Sequence, residues 1–241
     1  MKRSDGRQPD QLRPIAFEID FTKYAEGSVL ARFGDTKVLC NVTVENRLPS
    51  WLQRQGEPHG WVTAEYALLP RSTDRRVSRE KRWPKGRTQE ISRLIGRSLR
   101  MAVDLEALGP RQLIVDCDVL QADGGTRTAA ISGGYVAVAL ALRRLQAAGQ
   151  VGESVYRRQI AAVSVGLVDG TALLDLAYEE DVAAAVDLNV VMTAAGELVE
   201  VQGTAERAPF SRTQLAALVD LAARGVSSLA ADQKAVLENS K

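Results

Sequence analysis

From Phe17 onward the chain alternates apolar and polar positions in short runs punctuated by glycine. "EGSVLARFGDTKVLCNVTVE" (26–45) holds two such runs around Gly34-Asp35-Thr36 and predicts a β-hairpin with every second side chain in a core. "AAVSVGLVDGTALLDLAYEE" (161–180) repeats the design around Asp169-Gly170-Thr171, and "LNVVMTAAGELVEVQG" (188–203) predicts a third hairpin turning at Ala194 to Gly196. The likeness of the first two, one in each half, hints at an internally duplicated architecture.

Between the hairpins the apolar period lengthens to that of a helix. Residues 88–108 place Ile91, Leu94, Ile95 and Leu99 near helical spacing, with Thr88 as N-cap and Gly109-Pro110 as the stop. Arg93, Arg97 and Arg100 fall on another face of that helix. "RQLIVDCDVL" (111–120) reads as a strand, and a small-residue helix follows from about Thr128 to Gly149. Its Ala and Gly content suits close packing on a sheet. A last helix spans about 213–238, with Ser211 and Gln214 in capping-box spacing. The stretch up to Pro14 is polar and loop-like, and no low-complexity tract divides the chain, so residues 1–241 read as one α+β domain.

Composition narrows the class. With 241 residues, 45% hydrophobic and 25% charged, the chain can bury a substantial core. No apolar run is long enough to span a bilayer, and "MKRSDGRQPD" lacks the apolar region of a signal peptide. Cys40 and Cys117 lie inside apolar runs, as buried thiols would in a reducing cytoplasm. The net charge of +1 conceals a segregation: residues 71–100 carry eleven Lys or Arg against three acids, a net of +8, leaving −7 elsewhere. Such a basic block is an electrostatic footprint for phosphate backbones, although a solvated arginine-rich face has the same composition.

Three constellations bear chemistry. In "DGGTRTAAISGG" (123–134), Gly124 and Gly125 let backbone approach a ligand, and the N–H groups opening the next helix favour an anion. Thr126 adds a hydroxyl and Arg127 a planar fork for two phosphate oxygens. The plainer reading is that Thr126 or Thr128 caps the helix while Arg127 meets a surface acid. The loop is neither a Walker A sequence nor a dinucleotide-binding fingerprint. Gly86-Arg87-Thr88 opens the earlier helix with similar chemistry. The acids Asp175, Glu179, Glu180, Asp181 and Asp187 form the third group, and a turn into a strand would bring Asp181 and Asp187 together. Two such carboxylates suit Mg²⁺ binding or proton donation, or else a solvated acidic connection. His59, the one histidine, reads as incidental, and a zinc site is improbable. Trp51 and Trp61 read as packing residues; Trp83 alone sits among basic residues.

Seven stretches in order, "SDGRQPDQLRPI", "EGSVLARFGDTKVLC", "GWVTAEYALLPRST", "GRTQEISRLIGRSLR", "DCDVLQADGGTRTAAISG", "AAVSVGLVDGTALLDLAYEED" and "DLNVVMTAAGELVEVQGTAE", resemble the RNase PH family end to end. The resemblance implies a ribosomal-protein-S5-like α+β fold in a homohexamer, a trimer of dimers. It implies a phosphorolytic 3′-to-5′ exoribonuclease (a tRNA nucleotidyltransferase) that trims the 3′ ends of tRNA precursors, with inorganic phosphate as co-substrate. Residue by residue, it implies that Arg87, Gly125, Thr126 and Arg127 bind phosphate. Asp181 and Asp187 would serve catalysis or Mg²⁺, with Asp187 the usual proton donor, and Arg71, Arg76 and Arg79 would grip RNA. "TDRRVSREKRWPK" (73–85) departs from the family loop, and Arg207 stands where a small residue is common. The alternative within the resemblance is a catalytically silent RNA-binding ring subunit, which usually lacks the phosphate arginines or the acidic pair.

Overall fold

The computed structural model describes residues 3–56, 59–79 and 86–240. The early alternation becomes three antiparallel strands, β1 (Ile15–Ile19), β2 (Gly27–Phe33) and β3 (Thr36–Glu45). The short helix α1 (Ser50–Gln55) leads to β4 (Trp61–Leu68), and helix α2 covers Gly86–Arg100. One-turn α3 (Leu105–Leu108), β5 (Gln112–Gln121) and the long α4 (Thr126–Ala147) complete the first half. Its sheet runs β1-β2-β3-β5-β4, antiparallel except where β4 joins β5.

The second half begins with a 3₁₀ turn at Glu153–Val155 and continues with β6 (Ile160–Val168), β7 (Thr171–Leu174) and α5 (Tyr178–Ala183). It ends in β8 (Val186–Thr193), β9 (Leu198–Ala205) and the 28-residue α6 (Arg212–Asn239). Its sheet is antiparallel in the order β7-β6-β8-β9. All three predicted hairpins form. In the second, Asp169 and Gly170 both take positive φ (48° and 75°), the signature of a two-residue primed turn. The Ser211/Gln214 capping box opens α6 as expected.

Helix α4 is the shared element: it packs on β2 and β3 of one sheet and β6 of the other. A helix apolar on all sides must be buried on all sides, and its residues from Thr128 to Leu142, Tyr135 excepted, lie in the interior. Close approach requires glycine at Gly133, where a Cβ would sit 2.7 Å from that of Ala31. One continuous hydrophobic core therefore runs through both halves. Cys40 and Cys117 face each other across β3 and β5 as buried free thiols. No helix among the described residues is long and apolar enough to cross a membrane.

Two sequence expectations need correction. The single helix over 88–108 breaks after Arg100. Asp104 restarts the chain as α3 by accepting from the Ala107 N–H, and Val103 bridges to Tyr156. Thr88 is therefore inside the first turns of α2 rather than its cap. Helix α4 begins two residues earlier than expected, directly after Gly125.

Candidate active site

The heads of α4 and α2, helix α5 and strand β8 converge on one cavity of about 750 Å³. Arg87, Gly125, Thr126, Arg127, Asp181 and Asp187 all line it, so the structure gathers the four expected phosphate residues and the Asp181–Asp187 pair in one place.

The β5–α4 turn is built for close backbone approach. Gly124 and Gly125 take φ of 74° and 63°, and a Cβ on Gly124 would lie 2.4 Å from the Leu176 carbonyl oxygen. No side chain caps α4. The Thr126 hydroxyl instead shares a 2.8 Å hydrogen bond with the buried Tyr66 hydroxyl, and Thr128 donates to the Gly125 carbonyl at 2.9 Å. The capped-helix reading therefore fails for both threonines, and the positive end of α4 is left facing the cavity. The plainer reading of Arg127 holds in part: its Nη1 lies 3.3 Å from Glu90 Oε1 and 3.1 Å from Gln202 Oε1.

Strand alternation aims Asp187 and Asn189 of β8 toward the cavity while Val186, Leu188 and Val190 enter the core. Asp181 arrives from α5, because that helix ends at Ala183 and β8 starts at Val186. Loss of solvent raises the pKa of Asp181 against the pull of Arg87 and Arg127. Loss of solvent, then the charges of Asp181 and Glu206, raise that of Asp187 against Arg127. Glu206 is the acidic neighbour that sequence reading missed: it follows β9, whose Thr204 pairs with Asp187. Arg207, without a role from sequence, lines the same cavity and reaches the Val182 carbonyl at 3.4 Å. Tyr178 and Val182, both exposed, give the rim an apolar side.

The other acids divide. Glu179 is exposed, whereas Asp175 and Glu180 are buried structural partners of Arg13 and Arg3 at 2.7 Å each. Arg71, Arg76 and Arg79 are exposed on the segment after β4 and do not line the cavity, although Thr73 and Asp74 beside them do. Arg71 donates to the Asp74 carbonyl at 2.6 Å. Loss of solvent raises the pKa of Asp118, and Arg79 lies close enough to oppose that rise. Trp83 lies outside the described residues. Trp51 and Trp61 pack edge to face at 5.0 Å with Arg100 stacked on Trp61, as packing residues do.

Among the described residues no group of three His, Cys, Asp or Glu side chains is disposed to hold a metal. A pair of carboxylates suits a magnesium ion that keeps waters and shares phosphate oxygens, and Asp181 with Asp187 is such a pair.

The chain matches the family models described as 3′ exoribonuclease family, domain 1 over residues 11–143 and domain 2 over residues 158–225. A protein named Ribonuclease PH from Cyanothece sp. is 56% identical over 236 residues, 98% of each chain. Its namesake from Moorella thermoacetica is 57% identical over 98% of this chain and 95% of its own. Among solved structures, rice Rrp46 superposes with a TM-score of 0.78 at 18% identity, covering 98% of this chain and all of its own. The Archaeoglobus fulgidus exosome with RNA bound to the active site gives 0.76 at 22%, over 95% of this chain and 91% of that one. At those identities the structural likeness speaks to the fold.

Proposed function

The chain belongs to the RNase PH 3′ exoribonuclease family, and on that premise we propose that it shortens RNA from the 3′ end by phosphorolysis. The observation that carries the reading is the uncapped head of α4 beside Arg87 and Arg127, with the Asp181–Asp187 pair across the same cavity. A hydrolase attacks with water and does not require a cradle for a second phosphate.

Inorganic phosphate is the nucleophile, held by Arg87, Arg127, the Thr126 hydroxyl and the Gly125 backbone. An oxygen of phosphate attacks the terminal phosphodiester phosphorus, the bond to the 3′-oxygen of the penultimate nucleotide breaks, and a nucleoside diphosphate leaves. The reverse reaction adds nucleotides through the same site. Holding two reactants side by side replaces a bimolecular encounter with an oriented one. Bringing two anions together is unfavourable unless fixed cations face them, which the arginines and the helix head supply. Asp187 delivers the proton to the leaving 3′-oxygen, and loss of solvent with the nearby charges of Asp181 and Glu206 favours its protonated form. Asp181, and Asp187 in its deprotonated form, are the groups that would hold Mg²⁺, which would neutralise phosphate charge.

The substrate reading extends to the 3′ ends of tRNA precursors, gripped by Arg71, Arg76 and Arg79, in a cytoplasmic homohexamer built as a trimer of dimers. The family resemblance supports these points. So do the exposed arginines and the exposed Leu198 and Val201 on edge strand β9, which a neighbouring subunit would cover.

The test is an RNA with an extended 3′ tail, incubated with protein and Mg²⁺, with and without inorganic phosphate. Shortening only with phosphate, releasing nucleoside diphosphates, is the expected result. Shortening without phosphate, releasing monophosphates, would make the enzyme a hydrolase.

A further inference from the structure

The polar N-terminal segment, without a task in the chemistry above, reaches the site from behind. Arg13 meets Asp175 through Nε at 2.9 Å, Nη2 at 2.7 Å and its own backbone N–H at 2.9 Å. Asp175 is fully buried with φ of 54°, a backbone state that residues with side chains keep only where their surroundings impose it. The other edge of the Arg13 guanidinium faces the phosphate loop: Nη1 donates to the Asp123 carbonyl, and Nη2 lies 3.5 Å from that of Gly124. Buried Thr36 seconds this, donating to the Gly124 carbonyl at 2.6 Å and accepting from the Asp123 N–H at 2.9 Å.

A peptide's carbonyl and N–H point in opposite directions. Fixing the Asp123 and Gly124 carbonyls on the Arg13 side therefore turns the Gly124 and Gly125 N–H groups away from it. We propose that Arg13, braced by Asp175 and seconded by Thr36, is a positioning residue for phosphate binding, presetting the 123–125 backbone for the incoming anion. The proposal rests on the phosphorolytic reading. Arg13 does not itself line the cavity, and Asp175 neutralises its charge, so it acts through the loop. Nor is it needed merely to tie the segment down, since Arg3 is already bound to both oxygens of Glu180 at 2.7 Å.

The variants are Thr36→Val, which removes one hydroxyl at constant size, and Arg13→Lys, which keeps the charge without the fork. Steady-state kinetics would give KM for inorganic phosphate and for RNA separately, with kcat and thermal stability. The expected result is a rise of about tenfold or more in the phosphate KM of both variants, with the RNA KM within about twofold of the parent. An unchanged phosphate KM, or a parallel rise in both KM values, would overturn the proposal in favour of a purely structural role. If Arg13→Lys does not fold, Thr36→Val decides, together with Arg13→Met/Asp175→Asn, which removes both buried charges at once and keeps at 175 a residue that tolerates the left-handed backbone. Phosphate-independent shortening by the parent enzyme would instead remove the phosphorolytic reading itself.

Discussion

Arg127 stands 3.3 Å from Glu90, so the arginine on the cavity wall already carries a carboxylate partner. Glu90 is substantially exposed, and such pairs contribute about 0–1 kcal/mol. An incoming phosphate competes with that carboxylate. Glu90→Gln keeps an oxygen for Arg127 and removes the competing charge. The phosphate KM is expected to fall by up to about fivefold; a rise would mean that Glu90 chiefly holds Arg127 in place.

Arg127→Ala takes away a fixed cation where phosphate charge concentrates. Loss of one preorganised donor of this kind costs on the order of 2–4 kcal/mol of transition-state stabilisation. kcat/KM for phosphate should drop accordingly, and an unchanged kcat/KM would remove Arg127 from the cradle.

Asp187→Asn should leave RNA affinity intact and abolish turnover. A pH profile separates the pair further. With Asp187 as the acid, the rate falls as pH climbs through its pKa. Asp181→Asn deletes a like charge that helps raise that pKa, so the fall moves to lower pH. Stability follows the same linkage with a defined sign. A carboxyl whose pKa is raised on folding binds its proton more tightly in the folded state, so its stabilising effect is full at low pH and lost as pH rises through the folded value. Asp187→Asn should therefore raise Tm at neutral pH relative to the parent, with the difference vanishing below about pH 4. Thermal unfolding at both pH values checks it.

RNA affinity should weaken linearly on a log–log plot against salt, as counterions condensed on the strand are released. Each phosphate contact to a single strand contributes a slope of about 0.7, so replacing Arg71, Arg76 and Arg79 together by Ala should flatten the slope by about 2. An unchanged slope would move the RNA grip elsewhere.

Gly124→Ala combines a left-handed backbone, worth roughly 1–2 kcal/mol against a side chain, with a Cβ 2.4 Å from the Leu176 carbonyl. Denaturant unfolding should register at least that loss, and activity should fall with it because the turn opens the phosphate cradle.

The sequence disclosed what is local. Single glycines marked the hairpin turns, a glycine pair marked the head of α4, and alternation marked the faces of β8. The break after Arg100 escaped notice because Ile91, Leu94, Ile95 and Leu99 keep a helical rhythm into it, and the competing cap at Asp104 is a single side chain. Distance in sequence hid the rest. Arg13 and Asp175 are separated by 162 positions, and nothing in either neighbourhood names the other. Glu206 joins the acidic pair only because β9 lies beside β8, a pairing that hydrophobic pattern suggests without fixing which acid ends up at the cavity. Asp175 and Glu180 look like candidate catalysts in sequence and are buried ion-pair partners in space, a distinction that rests on which arginine folds back.

Helix α4 has a consequence for how the chain is made. It is synthesised before β6, β8 and α6, yet one of its flanks is covered by them. A nascent chain paused near residue 150 would hold a finished first sheet and a long helix with a bare oily flank. Until the last helix has emerged from the ribosome, that flank is a place for a chaperone or another unfinished copy to stick.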